Sequence, residues 1–208
     1  MVILKDKCAE AIRNRIRDES STTNVIQKDL YSLGVILGQK ISSEYFTEER
    51  TIKTPTESQF NGLQLINTKI VIVSTLDDYK YFANGLSTVF ENVERGYIDF
   101  AGKRGQEVFS SPLRSITLPD IQNVNTVIIA KSVLATGCTA ISLIKKAVEN
   151  YSPQRLIIAS VYYSRKGLYD VQNECKYADF FLIGEPDELR RDGMLIPGVG
   201  DLDKRIVG

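Results

Sequence analysis

Between Thr126 and Asn150 the chain sets an apolar β-branched run (Val127, Ile128, Ile129), a turn of small and hydroxylic residues (Ala135, Thr136, Gly137, Cys138, Thr139) and then Ile141, Ile144 and Val148 at helical spacing. A strand, a tight loop and a helix start in that order direct unpaired backbone N–H groups, the Thr136 and Thr139 hydroxyls and the positive end of the helix dipole at one point. The ligand that suits such a point is a phosphate monoester. Alone, the same loop serves equally as plain helix capping. A second stretch shifts the balance: Gly193, Gly198 and Gly200 crowd round Pro197, with Asp201 and Arg205 close behind. Glycines let backbone approach a flat ligand, whose edge exposed N–H and C=O groups can read. The structural alternative is a glycine-rich tail lying on the sheet, with Asp201 and Arg205 as a surface pair.

The chain has no histidine. Serine–histidine and cysteine–histidine catalysis and His-ligated metals are thereby excluded, leaving carboxylates, lysine, tyrosine or substrate positioning. Its three cysteines, Cys8, Cys138 and Cys175, are too scattered for a zinc spacing or a disulfide framework, which suits a reducing cytoplasm. Cys138 at a helix start is either a reactive thiol or simply a small residue where space is short. Twenty-six basic and 26 acidic side chains cancel, so no global field attracts nucleic acid or an anionic membrane. No signal-peptide core and no apolar run of bilayer length is expected.

The elements that must position these residues follow from periodicity. With 208 residues, a single α/β domain over 1–208 is the simplest reading. Leu4, Cys8, Ile12 and Ile16 predict a first amphipathic helix over residues 3–18, and Ile26, Leu30, Leu33, Ile36 and Leu37 a second over about 25–41, after a polar break at 20–24. Residues 47–65 suggest a hairpin around Thr54 and Pro55. Residues 69–75, 155–161 and 179–184 are continuous apolar strands of the kind covered on both faces, 97–100 is a shorter strand, and 165–177 is a short helix. Asp77 and Asp78 either cap a helix from Tyr79 to about Asn92 or hold Mg²⁺. The alternation predicts a mainly parallel twisted sheet flanked by helices, with N-terminal helices added and ligands at the C-terminal ends of the strands.

Leu134 to Thr139 resembles the phosphate loop D-P-M-x-A-T-G-G-S/T of the uracil phosphoribosyltransferases, a branch of the type I phosphoribosyltransferase fold. Ile196 to Asp201 with Arg205 resembles their uracil segment, Y-I-x-P-G-x-G-D-x-x-x-R. Ile16 to Thr22 looks like their L-R-D-K-x-T, and Glu49 to Pro55 like the strand V-x-I-x-T-P-L. The likeness is collinear over almost the whole chain. It implies uracil plus phosphoribosyl pyrophosphate giving UMP and pyrophosphate, a step of pyrimidine salvage. The transition state resembles an oxocarbenium ion and depends on positioning and charge stabilisation, which suits the residue inventory.

By this resemblance Ala135, Thr136, Gly137, Cys138 and Thr139 would hold the 5′-phosphate. Backbone of Leu195, Gly198 and Gly200 would read the base, and Lys131 and Asp201 would lie at the ribose and phosphoribosyl pyrophosphate. Lys103 or Arg104 would reach pyrophosphate, although a solvated basic turn explains them as well. Mg²⁺ would assist if the protein is catalytic, and the N-terminal helices imply a homodimer. Several positions depart from the pattern. Ser74 to Asp78 replaces a R-A-G-L-G-like pyrophosphate loop, turning two carboxylates toward an anion. Lys131-Ser132-Val133 replaces Asp-Pro-Met, so a donor-only ammonium stands where a carboxylate accepts from ribose hydroxyls; Lys131 either pairs with Asp77 or Asp78 or donates to a phosphate. Met194 replaces Tyr, and residues 106–120 form a shorter hood over the site. Three readings stay open: the enzyme, a catalytically inactive nucleotide-binding regulatory or accessory paralogue, and a phosphoribosyltransferase using another base or donor.

Overall fold

The computed structural model describes residues 1–100, 105–110 and 112–207. The chain opens with β1 (Val2–Leu4), α1 (Lys7–Arg17), α2 (Thr23–Tyr45) and the hairpin β2 (Thr47–Lys53) and β3 (Gln59–Leu65). Next come β4 (Ile70–Thr75), α3 (Leu76–Lys80), α4 (Phe82–Ser87), β5 (Val93–Asp99), a 3₁₀ turn (Gly105–Ser110) and β6 (Ser115–Thr117). The remainder is β7 (Thr126–Ala130), β8 (Val133–Leu134), α5 (Cys138–Tyr151), β9 (Arg155–Ser160), β10 (Tyr162–Tyr163) and α6 (Arg165–Glu174). It closes with β11 (Asp179–Ile183), β12 (Glu188–Leu189), β13 (Leu195–Ile196) and α7 (Leu202–Val207).

Seven strands form one sheet in the order β1-β11-β9-β7-β4-β5-β6, parallel throughout except for the antiparallel edge strand β6. The pleat sends alternate residues to opposite faces, and both faces are apolar. Ile72, Ile128, Ile157 and Phe181 enter a layer shared with Ile16, Leu30, Leu33 and Leu37 of α1 and α2. Val73, Ile129, Ile158 and Leu182 enter the other, with Leu143, Ile144 and Val171 of α5 and α6. This double cover explains why β4, β7 and β9 read as continuous apolar runs.

Two predicted helices are corrected. Residues 2–4 are a strand, paired with Phe181, Leu182 and Ile183, and the helix begins only at Lys7 because the Asp6 carboxylate accepts from Ala9 N at 2.8 Å. Between 79 and 92 there are two short helices, broken at Tyr81 (φ −120°, ψ −71°), and Asn92 has left helix to accept from Ile70 N at 3.1 Å. The hairpin around Thr54 and Pro55 pairs in register from Thr47 with Leu65 to Lys53 with Gln59. No helix among the described residues is long and apolar enough to cross a membrane.

Candidate functional site

The phosphate loop leaves the sheet at Ala130, the end of β7. Lys131 N still reaches Ala159 O at 3.1 Å, and Ser132 O accepts from Val161 N and Tyr162 N at 3.1 and 2.8 Å. β8 then pairs in parallel with β10, carrying the chain beyond the C-terminal edge of the sheet. Gly137 follows at φ +81°, and a Cβ there would lie 2.8 Å from Gly167 O, so both the turn and the close approach to α6 require glycine. Ser164 Oγ accepts from Gly167 N at 2.8 Å, capping α6, and donates to Ala135 O at 2.6 Å. The cap of one helix thus pins the loop that starts another. α5 begins at Cys138, and its first-turn N–H groups have no acceptors within the helix. Ser164, three residues before Gly167 and ahead of an amphipathic helix, is a sequence signal the loop reading did not use.

The base segment is built from β13, antiparallel to β12, and the turn beyond it, with a cis Ile196–Pro197 bond. Gly198 takes φ +60°, where a Cβ would lie 2.1 Å from Leu195 O. Its carbonyl accepts from Arg17 Nη1 at 2.8 Å. Arg205 donates to Val199 O at 3.0 Å and to Ile16 O and Asp18 O at 2.6 Å each. The alternative of a surface pair between Asp201 and Arg205 is corrected: the guanidinium satisfies three carbonyls where the ribbon meets the end of α1, and among the described residues Lys204 lies 3.4 Å from Asp201.

A cavity of about 230 Å³ lies between loop and ribbon. Lys131, Ala135, Thr136, Gly137 and Thr139 wall one side, and Leu195 and Gly200 another. The loop and the glycine-rich segment, 60 residues apart in sequence, thus share one space. Cys138 and Gly198 are buried behind the walls and shape them, and Asp201 does not line the cavity. Met194, which stands where the family has Tyr, is also a wall, and walls not singled out from sequence include Asp192, Leu202 and Asp203. Gly193 sits over the loop, where a Cβ would be 3.8 Å from Thr136 Cγ2. Lys103 and Arg104 lie outside the described residues.

One wall residue, Lys131, belongs to a buried ion pair. Lys131 Nζ donates to Asp78 Oδ2, and the two side chains are only 12% and 4% exposed. Asp78 Oδ1 accepts from Ser132 N at 3.2 Å, and Thr75 Oγ1 donates to Asp78 Oδ2 at 3.0 Å. Of the two alternatives for Asp77 and Asp78, capping is corrected: Thr75 is the N-cap of α3, both aspartates stand in its first turn, and Asp78 is spent on Lys131. Burial works against the Lys131 charge, yet Asp78, Asp203 and Asp77 together hold its pKa above the ordinary lysine value. Asp77 is half-buried; desolvation, then Asp203, raise its pKa, with Lys131 opposing. Among the described residues, no three His, Cys, Asp or Glu side chains converge as a metal site.

A sequence model described as uracil phosphoribosyltransferase matches residues 3–208. The uracil phosphoribosyltransferase of Thermococcus gammatolerans is 28% identical over 197 residues, covering 95% of this chain and 88% of its own. That of Sulfolobus acidocaldarius is 29% identical over 201 residues, covering 93% of each. Among solved structures, the AQ2163 protein from Aquifex aeolicus superposes with a TM-score of 0.83 at 25% identity, covering 99% of this chain and 96% of its own.

Proposed function

The chain belongs to the uracil phosphoribosyltransferase family, and on that premise we propose that its cavity takes uracil and phosphoribosyl pyrophosphate and releases UMP and pyrophosphate. The observation that carries this reading is that Thr136 and Gly200 line one cavity. The loop from Ala135 to Thr139 would hold the 5′-phosphate on first-turn N–H groups and hydroxyls. The ribbon at Leu195 and Gly200 would lie along the base, held in shape by Gly198. Phosphate and base fixed at two ends set the C1 carbon of the ribose against the ring nitrogen of uracil. Positioning of that kind is the main catalytic resource of a site without histidine.

Magnesium enters this scheme as part of the substrate. That reading is supported by the pairing of Asp78 with Lys131 and by the lack, among the described residues, of any three His, Cys, Asp or Glu side chains that converge. The ion would come with the pyrophosphate and neutralise its charge as it leaves. The family resemblance further supports a cytoplasmic homodimer, which light scattering on the purified protein tests.

A second reading, nucleotide binding without turnover, is favoured by one observation: the position after β7 presents an ammonium in a buried ion pair. Titration calorimetry with UMP, uracil and phosphoribosyl pyrophosphate plus Mg²⁺, beside a radiolabelled uracil turnover assay, separates the two. Turnover establishes the enzyme. UMP binding without turnover establishes the receptor. Absence of binding by UMP and by phosphoribosyl pyrophosphate overturns both.

A further inference from the structure

We infer that Ser164, between β10 and α6, is a positioning residue: its hydroxyl holds the phosphate loop at a fixed separation from the base ribbon, so that a ligand reaching both is bound more tightly than a freely shifting loop would allow. This rests on the reading that the loop takes a phosphate and the ribbon a base. Neither pole is built into the seven-stranded sheet, since β8 pairs with β10 and β13 with β12. Their separation is set by whatever joins these small pieces, and a ligand with phosphate at one end and base at the other is sensitive to it.

Ser164 is that joint. Its N–H donates to Leu134 O at 3.1 Å, and its hydroxyl donates to Ala135 O at 2.6 Å while accepting from Gly167 N at 2.8 Å. The two carbonyls ahead of Thr136 thus both rest on one residue, itself only 1% exposed. On its other side Ser164 forms a parallel bridge with Asp187, whose N–H donates to Tyr163 O at 2.8 Å. The Asp187 carboxylate takes the Arg17 guanidinium, and Arg17 donates to Gly198 O at 2.8 Å inside the ribbon. A continuous series of contacts therefore runs from loop to ribbon through Ser164. Its backbone links survive replacement of the side chain, but the link to Ala135 O does not. A hydroxyl donates to a carbonyl and accepts from an N–H through the same atom, whereas an alanine does neither and a carboxylate only accepts. Without it the loop keeps its turn at Gly137 but shifts against the ribbon, and only a ligand that spans both bears the cost of realigning them.

Calorimetric titration with UMP, uracil and inorganic phosphate tests the assignment on Ser164→Ala, Ser164→Cys and Ser164→Thr, beside Asp6→Ala, which removes the cap of α1 and leaves the joint intact. Ser164→Ala is expected to bind UMP about tenfold more weakly, the value of one buried hydrogen bond, while uracil alone and inorganic phosphate alone each stay within about twofold of the unaltered protein. Ser164→Cys, close to serine in shape but a weak donor, reads the same loss should the alanine variant not fold. Ser164→Thr keeps the hydroxyl and restores UMP binding. Losing a helix cap lowers the melting temperature of Ser164→Ala and Asp6→Ala alike, yet Asp6→Ala is expected to bind UMP as the unaltered protein does. Undiminished UMP binding in Ser164→Ala or Ser164→Cys overturns the inference. So does a loss shared equally by uracil alone or phosphate alone, a Ser164→Thr variant as weak as Ser164→Ala, or a UMP loss of the same size in Asp6→Ala. Failure of the unaltered protein to bind UMP is a distinct result: it removes the reading of the cavity itself, and the inference with it.

Discussion

Arg17 grips Asp187 through both ends of its guanidinium, Nη1 to Oδ2 at 2.9 Å and Nη2 to Oδ1 at 2.8 Å, while Nη1 also donates to Gly198 O at 2.8 Å. The last residue of α1 is thereby tied to the segment after β11 and to the base ribbon. Asp187 is anchored in turn by its own N–H, which donates to Tyr163 O at 2.8 Å. The Arg17 guanidinium also stacks over the Tyr162 ring, 4.9 Å from its centroid. The ribbon has little regular structure of its own, and this junction fixes its shape from outside.

Arg17→Met leaves the Asp187 carboxylate, 4% exposed, without its charge partner. Breaking a buried pair from one side costs about 3–5 kcal/mol, whereas replacing both members with apolar groups costs far less. Urea unfolding is expected to show that loss for Arg17→Met and recovery of most of it in Arg17→Met with Asp187→Leu. A single variant within about 1 kcal/mol of the unaltered protein would show that the junction is not a buried pair in energetic terms.

Thr136→Val removes a hydroxyl from the cavity wall while keeping the β-branched shape. If the loop holds the 5′-phosphate, UMP binding weakens by about tenfold, the value of one hydrogen bond to a charged group, and binding of free uracil does not change. Calorimetry with the two ligands reads the difference. Equal losses for both would mean that the loop and the ribbon do not divide the ligand between them.

Gly198→Ala tests the ribbon independently. At φ +60° an alanine is strained, and its Cβ would fall 2.1 Å from Leu195 O, so the ribbon must open. The expected stability loss is about 1–3 kcal/mol, by analogy with other forced left-handed residues. The measurement that bears on function is uracil binding, which should disappear while inorganic phosphate still protects the loop from hydrogen exchange.

The two poles of the cavity were legible in the sequence because each is local. Small hydroxylic residues before an apolar helix, and glycines round a proline, carry their chemistry in adjacent positions, and the continuous apolar strands carried the parallel sheet. What escaped is what depends on residues distant in the chain. Arg17 with Asp187, 170 positions apart, and Ser164 with Ala135, 29 apart, have no local signature. Leu4 continued the four-residue spacing of α1, yet its backbone is taken by β11. The pairing of Lys131 with Asp77 or Asp78 was one of two alternatives left open for that lysine, and the fold selects Asp78. Asp203 reaches the cavity only because α7 folds back against α2, where Thr23 Oγ1 donates to Arg205 O at 3.0 Å and Gln27 Nε2 to Ile206 O at 2.7 Å.

Asp77 supplies a pH-dependent test of the charges round Lys131. Burial and the neighbouring Asp203 raise its folded-state pKa above the ordinary 3.8, with Lys131 opposing. A raised carboxyl pKa means that the charged form is disfavoured in the fold. The associated stability is therefore fully present below pH 3.8, where Asp77 is protonated folded and unfolded, and is lost as pH rises through the folded value. At neutral pH the native state carries the whole penalty. Asp77→Asn removes the charge at constant shape, so its melting temperature is expected above that of the unaltered protein at pH 7, the gain shrinking as pH falls and vanishing below about pH 3.8. Thermal unfolding across that range checks the sign. A variant less stable at pH 7, or a gain that persists in acid, would mean that the Asp77 carboxylate is favoured by its partners rather than opposed by its burial, and the balance of charge round Lys131 would have to be redrawn.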